Sequence, residues 1–215
     1  MTDDPTLDEI RGDLAPAIAA NAAFDGWGDA ARDMAAEGAG VDRDVAALAF
    51  PGGAVDMIDA WFDDIDRAMV AALPDIAALK VRERIPALVE ARLTAMASDR
   101  EALRRALAVL VLPQNLARGA RLGWRTVDLI WRTAGDTATD YNHYTKRAIL
   151  FGVYGTTITV FLDDDSEDFA DTRAFLARRI AGIMRFETAK AGIVKRAAFR
   201  PSLSRLIGRL RYPVT

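Results

Sequence analysis

Apolar residues recur at helical spacing along almost the whole chain, and this pattern constrains the fold more than any other feature. Within residues 116–134, for example, Trp124, Val127, Ile130 and Trp131 fall three and four positions apart, which places them on one face of an α-helix. Alternation at period two, which would indicate β-strands, is almost absent. The pattern therefore predicts an all-α protein of about ten helices.

Proline and glycine mark where these helices end. Asp42 is suited to capping a short third helix between the glycines at 38 and 40 and the Pro51-Gly52-Gly53 turn, and Pro86 predicts a kink. The predicted helices cover residues 7–20, 27–36, 43–50, 54–73, 76–97, 98–113, 116–134, about 140–162, 168–194 and 199–211.

The residue types exclude most catalytic centres. The 215 residues include no cysteine and one histidine, His143, so thiolate chemistry, cysteine-based zinc sites and ferritin-type di-iron sites are excluded. None of the four serines lies in a G-x-S-x-G motif, and no phosphate-binding glycine motif is present. We therefore expect a protein that is not an enzyme and that has no metal or cofactor of its own.

The charges are distributed unevenly between the two ends. Residues 1–64 hold fifteen Asp and Glu against three Arg, a net charge of −12, whereas residues 185–215 hold eight Lys and Arg against one Glu, a net charge of +7. Such asymmetry predicts that the two ends meet different partners.

The basic end predicts an amphipathic helix over residues 199–211. Its apolar residues share one face and its arginines lie elsewhere, which is typical of a helix that rests on an anionic membrane surface. The alternative is a terminal helix that packs on its own protein body. The predicted membrane-binding residues are Phe199, Arg200, Leu203, Arg205, Leu206, Ile207, Arg209 and Leu210.

The first helices resemble the helix-turn-helix of TetR-type regulators. The resemblance lies in Gly26-Trp27 and in residues 34–38 and 48–53. The third helix would read DNA, yet it offers only Arg43, between two aspartates, in a region of charge −12. Because DNA affinity depends largely on cations that neutralise phosphates, we expect a degenerate motif that binds no nucleic acid. A ligand-responsive transcription regulator is the alternative function.

A narrower resemblance begins further along the chain. Residues 80–85, 101–106, 131–140 and 144–150, together with 24–27, 168–172 and 175–180, resemble the Coq-nine family of ubiquinone-biosynthesis proteins. Its most specific part is A-G-D-x-x-T-D followed by Y-T-K-R. The resemblance implies a TetR-like homodimer that binds isoprenoid quinone intermediates or other lipid and presents them to a membrane-bound di-iron hydroxylase, which would hold the metal. An enzyme acting on the quinone ring itself is a third possibility.

Two sets of candidate site residues follow. Leu110, Trp124, Trp131 and Phe151 are predicted to line a lipid cavity, although core packing would require the same residue types. The resemblance implies that Asn142, His143, Tyr144, Lys146 and Arg147 contribute to partner binding, with His143 departing from the family's tryptophan. The alternative for this segment is helix capping and an exposed polar turn.

The predicted organisation has three regions. They are a degenerate helix-turn-helix-like region at 1–53, a helical lipid-binding and dimerisation body at 54–194, and a basic membrane-associating helix at 195–215. The acidic start is unlike a signal or transit peptide, and residues 149–162 are too few to span a bilayer. We therefore expect a bacterial cytoplasmic protein, peripheral on the inner face of the cytoplasmic membrane.

Overall fold

A computed structural model of the chain describes residues 5–137 and 141–198, which form nine α-helices and three short 3-10 turns. No strand occurs in this described part, so the all-α prediction is confirmed. The helices are α1 (Leu7–Asp25), α2 (Asp29–Ala39), α3 (Arg43–Ala49), α4 (Ala54–Ala71), α5 (Val81–Ala95), α6 (Arg100–Leu110), α7 (Leu116–Thr133), α8 (Tyr141–Leu162) and α9 (Ala170–Ala198). The predicted tenth helix lies outside the described residues.

Several predicted helix boundaries are wrong. The first helix continues past Pro16 to Asp25, the second and sixth are displaced by a few residues, and α9 begins at Ala170 after a 3-10 turn. The largest error is the single helix predicted over 76–97. Residues 76–78 form a separate 3-10 turn, and the backbone is extended at Leu79 and Lys80 before α5 begins.

Arg84 explains why the chain breaks before α5. Its guanidinium donates hydrogen bonds to the carbonyl oxygens of Ala77 at 2.9 Å and Leu79 at 3.1 Å. These bonds satisfy acceptors that a continuous helix would otherwise pair. Because α5 begins only at Val81, Pro86 lies in its second turn and the helix continues through it to Ala95.

The core of the N-terminal half is built around α1. One face of this helix, including Leu14 and Ile18, is fully buried, and α1 contacts α2, α3, α4 and α6. The indole of Trp27, just after α1, donates a buried hydrogen bond of 2.9 Å to the carbonyl oxygen of Ala102 in α6. Its ring lies 5.3 Å from that of Trp61 in α4. The first three helices are therefore packed directly on the larger helical body.

The α2–α3 segment has the geometry of a helix-turn-helix. Gly40 ends α2 with a φ of +69°, and Asp42 caps α3 by accepting hydrogen bonds from the backbone of Asp44 and Val45, as predicted. Arg43 forms an ion pair of 2.8 Å with Glu37. The only basic side chain on the predicted DNA-reading helix thus lies beside a carboxylate.

The turn between α8 and α9 is held by Asp164. This buried carboxylate accepts hydrogen bonds from the Thr172 amide at 2.8 Å, the Thr172 hydroxyl at 2.6 Å and the Ser166 amide at 2.9 Å. Burial alone would raise the pKa of Asp164, but the hydrogen bonds from Ser166 and Thr172 outweigh it and hold the pKa far below its usual value. From α6, Arg100 donates to the Asp164 carbonyl oxygen at 2.6 Å.

The chain divides into two compact units, residues 1–176 and 177–215. In the second unit the described residues continue α9 as a helix to Ala198. The boundaries predicted at residues 53 and 194 stay predictions.

Membrane-spanning potential is limited in the described residues. No single helix is both long and apolar enough to cross a bilayer, although α3 and α4, bent by 79°, pass such a test when they are joined.

Candidate functional site

The turn between α7 and α8 is built around Gly135. Helix α7 ends at Thr133, and the amides of Gly135 and Asp136 donate to the carbonyl oxygens of Arg132 and Trp131, each at 2.9 Å. This paired capping pattern requires a residue in the left-handed region, and Gly135 has a φ of +93°. The cap places the Asp136 side chain directly after the end of α7.

Asp136 joins this turn to α8 through two cations. Lys146 Nζ lies 2.7 Å from one carboxylate oxygen and Arg147 Nη1 lies 3.1 Å from the other. Burial would raise the pKa of Asp136, but the hydrogen bonds and positive charges of Lys146 and Arg147 outweigh it and lower the pKa. The carboxylate is therefore ionised across the physiological pH range.

Arg147 is the centre of this network. Its side chain is 1% exposed, its Nε donates to Asp128 in α7 at 2.5 Å, and its Nη1 also donates to the His143 carbonyl oxygen at 3.1 Å. The guanidinium thus connects two carboxylates and one turn of α8. We refer to Asp128, Asp136, Lys146 and Arg147 as the α7–α8 ion network.

Trp131 and Lys146 add a second connection between the helices. The indole Nε1 donates to the Lys146 carbonyl oxygen at 3.2 Å, and Lys146 Nζ lies 5.3 Å from the centre of the Trp131 ring. A cation at this distance from an indole is attracted by its electron-rich face. Both ends of residue 146 are therefore fixed by α7 and its cap.

An aromatic surface lies next to the ion network. Tyr144 is 63% exposed, and its ring lies 5.0 Å from that of His143 in an edge-on arrangement. The backbone that carries both rings is fixed by the Arg147 bond to the His143 carbonyl oxygen. The arrangement presents a large aromatic side chain to solvent from a rigid base.

The predicted partner-binding residues thus differ in their surroundings. His143, Tyr144 and Lys146 lie at or near the surface, whereas Arg147 is buried and its guanidinium is used by Asp128 and Asp136. The prediction that Arg147 contacts a partner directly at the surface is therefore wrong, because its side chain is buried. The Asn142 side chain lies outside the described residues, and partner binding itself stays a prediction.

Three of the four predicted lipid-binding residues contact a neighbouring helix. Leu110 packs close to Gly119, Trp131 bonds to Lys146, and the Phe151 ring lies where a Cβ at Gly123 would be, 2.6 Å from it. Trp124 is half-buried on α7. A groove between α1, α4 and α7 includes none of the four in its walls. A lipid role for them stays a prediction.

The predicted membrane-binding residues, Phe199 to Leu210, all lie outside the described residues. Among the residues that are described, no group of three or more acidic or histidine side chains has the arrangement of a metal site.

The sequence analysis did not predict two clusters of charged residues, one that includes Asp128 and one that includes Arg92. Asp128 follows Val127 on the apolar side of α7, and Arg92 lies among Leu88, Val89 and Leu93 on the buried side of α5. In both cases the available signal was a charged residue within an apolar stripe, which requires a buried partner of opposite charge. The sequence does not identify that partner, because it lies on another helix.

Comparison with known proteins places the ion network in a family segment. A model of the COQ9 family matches residues 116–187, which include all of α7 and α8. The mitochondrial ubiquinone biosynthesis protein COQ9 of Rattus norvegicus is 46% identical over 96 residues, 45% of this chain and 31% of the relative. The protein of the same name from Homo sapiens is 43% identical over 96 residues, 45% of this chain and 30% of the relative.

A more distant relative aligns over more of the chain. The mitochondrial ubiquinone biosynthesis protein coq9 of Schizosaccharomyces pombe is 24% identical over 163 residues, 75% of this chain and 65% of the relative. The chain thus spans about a third of the length of the rat and human relatives it matches.

The architecture also matches a solved structure. A TetR transcriptional regulator from Nitrosomonas europaea superposes with a TM-score of 0.65 at 25% identity, covering 80% of this chain and 96% of the regulator. The predicted TetR-like fold is therefore confirmed.

These names correct the predicted location. The rat, frog, human and fission-yeast relatives are all named as mitochondrial proteins. The prediction of a bacterial protein at the cytoplasmic membrane is therefore wrong, because the charge and composition on which it was based carry no information about the organelle of the relatives. The sequence matches and the helical architecture agree that residues 116–187 are similar to the COQ9 family and that the chain has a TetR-like fold.

Proposed function

We propose that the chain is a non-catalytic accessory protein of ubiquinone biosynthesis, which binds an isoprenoid lipid and presents it to a membrane-bound hydroxylase. The observation that carries the proposal is the coincidence of the COQ9 family segment with the α7–α8 ion network. The relatives' names supply the pathway, and the geometry supplies a surface suited to a protein partner.

The surface at Tyr144 has the properties of an interaction hot spot. Binding energy at protein interfaces is concentrated in a few residues, with tyrosine, tryptophan and arginine over-represented. Tyr144 is exposed, and the bonds of Arg147 to Asp128 and Asp136 hold its helix against α7. A rigid base lowers the entropy that binding must remove, which favours this face as the docking surface for the hydroxylase.

The partner-binding part of the proposal can be tested with Tyr144→Ala in the full chain. We expect the affinity for the purified hydroxylase, measured by calorimetry, to fall at least about tenfold, which corresponds to roughly 1.4 kcal/mol for a hot-spot aromatic residue. Phe24→Ala is the matched control, because Phe24 is an aromatic residue that is 83% exposed on α1, on a different helix from Tyr144. Equal affinities for wild type and Tyr144→Ala would reject the docking surface.

The lipid and membrane parts need separate measurements. Mass spectrometry of lipid extracted from the natively purified chain should identify an isoprenoid or phospholipid, and a protein free of lipid would contradict the proposal. For residues 199–211, co-sedimentation with anionic vesicles compares the full chain with one that ends at Lys195. We expect binding to fall strongly without the basic segment, since each cation near an anionic surface contributes about 1 kcal/mol. Unchanged binding would reject membrane association through this segment.

A ligand-responsive transcription regulator is the second candidate, and the alignment with the Nitrosomonas europaea regulator favours it. Against it stand the ion pair between Arg43 and Glu37 and the −12 charge of residues 1–64. Fluorescence anisotropy with random-sequence duplex DNA at physiological salt distinguishes the candidates, because any measurable affinity would support the regulator.

A further inference from the structure

An exposed apolar segment lies at the turn between α6 and α7. Val111 is 64% exposed, Leu112 is 42% exposed and Leu116 is 53% exposed, and Pro113 is exposed as well. Single exposed apolar residues are common on protein surfaces, but a run of consecutive ones is unusual unless it serves a contact. We refer to residues 111–116 as the α6–α7 tip.

Hydrogen bonds within the turn hold the tip in one conformation. The side-chain amide of Asn115 donates to the Val109 carbonyl oxygen at 2.9 Å, and its backbone amide donates to the Leu112 carbonyl oxygen at 2.8 Å. The first turn of α7 lies directly against the end of α6, since a Cβ at Gly119 would be 3.1 Å from the Leu110 carbonyl oxygen. The exposed apolar side chains are therefore presented from a rigid helical hairpin.

The segment around the tip carries only positive charge. Residues 102–127 include five arginines and no aspartate or glutamate. Four of these arginines form ion pairs with carboxylates outside the segment: Arg104, Arg105, Arg118 and Arg125. The fifth, Arg121, is exposed on the second turn of α7 and forms no ion pair with any carboxylate of the described residues. A cation that these carboxylates do not balance thus lies close to the tip.

The distance between Arg121 and the tip suits the surface of a bilayer. An α-helix rises about 1.5 Å per residue, so Arg121 lies roughly 7.5 Å along α7 from Leu116. Interfacial protein segments bury their apolar residues about 5–10 Å into the boundary between head groups and acyl chains. With α7 inclined to the bilayer and Leu116 at that depth, Arg121 reaches the level of the lipid phosphates.

The residue types of the tip favour a bilayer over a protein partner. Binding hot spots between proteins are enriched in tryptophan, tyrosine and arginine, whereas leucine and valine are under-represented. The tip is aliphatic and contains no aromatic residue. Acyl chains favour the burial of such side chains without requiring a complementary shape, because the hydrophobic effect is non-directional.

We propose that the α6–α7 tip is a second membrane contact, in which Val111, Leu112 and Leu116 enter the acyl region of an anionic bilayer and Arg121 pairs with a lipid phosphate. This contact is separate from residues 199–211. It extends the proposed membrane association and rests on it. Because the 18 residues of α7 span about 27 Å, the tip and the Tyr144 surface can be occupied at the same time.

A site-specific label tests whether the tip enters the bilayer. The sequence has no cysteine, so Gln114→Cys in the full chain provides one thiol for the dye nitrobenzoxadiazole at the tip. On titration with vesicles of equal parts phosphatidylcholine and phosphatidylglycerol, we expect its emission to shift to shorter wavelength and to be quenched by nitroxide-labelled acyl chains.

Val81→Cys with the same dye is the control. Val81 is 72% exposed at the start of α5, and α5 begins beside the far end of α7, where Arg84 bonds to the Ala134 carbonyl oxygen at 3.0 Å. A label at position 114 that responds no more than one at position 81 would overturn the proposal.

Substitutions test which side chains contribute. In the full chain, Val111→Ser with Leu116→Ser should lower the affinity for the same vesicles about tenfold. Leu7→Ser with Val81→Ser is the matched control, since these residues are of the same types, 46% and 72% exposed, and outside the tip. Arg121→Gln should weaken binding about fivefold, as expected for one cation near an anionic surface. Urea unfolding verifies that each variant is folded, and equal affinities for wild type and the tip variant would overturn the proposal.

The outcomes also separate the tip from the proposed function. Vesicle binding by the full chain with no response at position 114 would overturn the tip and leave membrane association through residues 199–211 standing. A response at position 114 in a chain that carries no lipid and does not bind the hydroxylase would support the tip while the accessory function fails. A response that follows protein concentration without vesicles would identify a second copy as the occupant and overturn the membrane contact.

Discussion

Arg92 and Arg147 are both only 1% exposed, yet they stabilise different parts of the molecule. Arg92 lies inside the helical body, where it bonds to Asp66 and the Tyr154 hydroxyl, and its guanidinium carbon lies 5.2 Å from the Phe62 ring centre and 5.3 Å from that of Tyr154. Arg147 shares two carboxylates with Lys146 and Arg132 at the end of α7. Arg92 has one carboxylate as its partner and is shielded from solvent, whereas Arg147 belongs to a network that extends to the surface.

The comparison shows that burial alone does not determine what a charged residue contributes. An isolated buried pair depends on both partners, because removal of one leaves an uncompensated charge in a medium of low polarity. In a network, the remaining cations and nearby solvent reduce that cost. We therefore expect the two arginines to differ in how far their loss destabilises the fold and in whether it affects binding.

The largest effect is expected for Arg92→Met. The substitution leaves the Asp66 side chain 5% exposed without its strongest partner, which should lower the free energy of unfolding by about 3–5 kcal/mol. Urea denaturation followed by circular dichroism measures the change. The double variant Asp66→Leu with Arg92→Met should regain much of this stability, and a double variant as unstable as the single one would contradict the assignment.

A smaller effect on stability is expected for Arg147→Met. Asp136 keeps Lys146 at 2.7 Å and Asp128 keeps Arg132 at 2.9 Å, so the loss should be about 2–3 kcal/mol in the same urea experiment. Unlike Arg92→Met, this variant should also weaken hydroxylase binding, because the backbone of His143 loses its support. If Arg147→Met were as destabilising as Arg92→Met, the distinction between isolated pair and network would be wrong.

Asp164 extends the comparison to a buried carboxylate whose partners are uncharged hydrogen-bond donors rather than cations. The stability that it contributes should depend on pH. Because its pKa is lowered in the folded protein, Asp164 stabilises the fold above the unfolded value of about 4, and this contribution is lost as the pH falls toward the folded value. Urea unfolding at pH 7 and pH 3 should therefore show a smaller decrease for Asp164→Asn than for wild type. Equal decreases would show that the Asp164 carboxylate contributes nothing to acid sensitivity.

The smallest effect is expected for Gly135→Ala. A residue with a side chain costs roughly 1–2 kcal/mol in the left-handed conformation that this cap requires, and the added Cβ would lie 3.2 Å from Arg84 Nη1. The melting temperature should fall by a few degrees, about 2–4 °C per kcal/mol for a protein of this size. Gly152→Ala is the control, since a Cβ at that exposed helical position meets nothing within 4 Å.

Patterns within one helix were predicted better than contacts between helices. The spacing of apolar residues gave the helices, and Asp42 and Gly40 correctly marked the turn before α3, because these signals depend on local conformation. The break before α5 was missed because it depends on Arg84 bonding to carbonyl oxygens earlier in the chain.

The candidate site shows the same division. The A-G-D and Y-T-K-R runs marked the correct segment, but their spacing could not show that Arg147 points inward while Tyr144 remains exposed. That difference depends on Asp128, one helix away, whose position is set by tertiary packing. The buried pair of Arg92 and Asp66 was missed for the same reason, because the two residues lie on different helices.

The close approach of the Phe151 ring to Gly123 limits which residues this fold can accept at position 123. Glycine within a helix costs about 1 kcal/mol relative to alanine, yet at position 123 the Phe151 ring occupies the space that any larger residue needs. Every substitution there must push the ring away from α7. In a library of all single substitutions, position 123 should therefore be less tolerant than Gly152 and Gly155, where an added Cβ meets no atom within 4 Å and alanine and serine should be accepted.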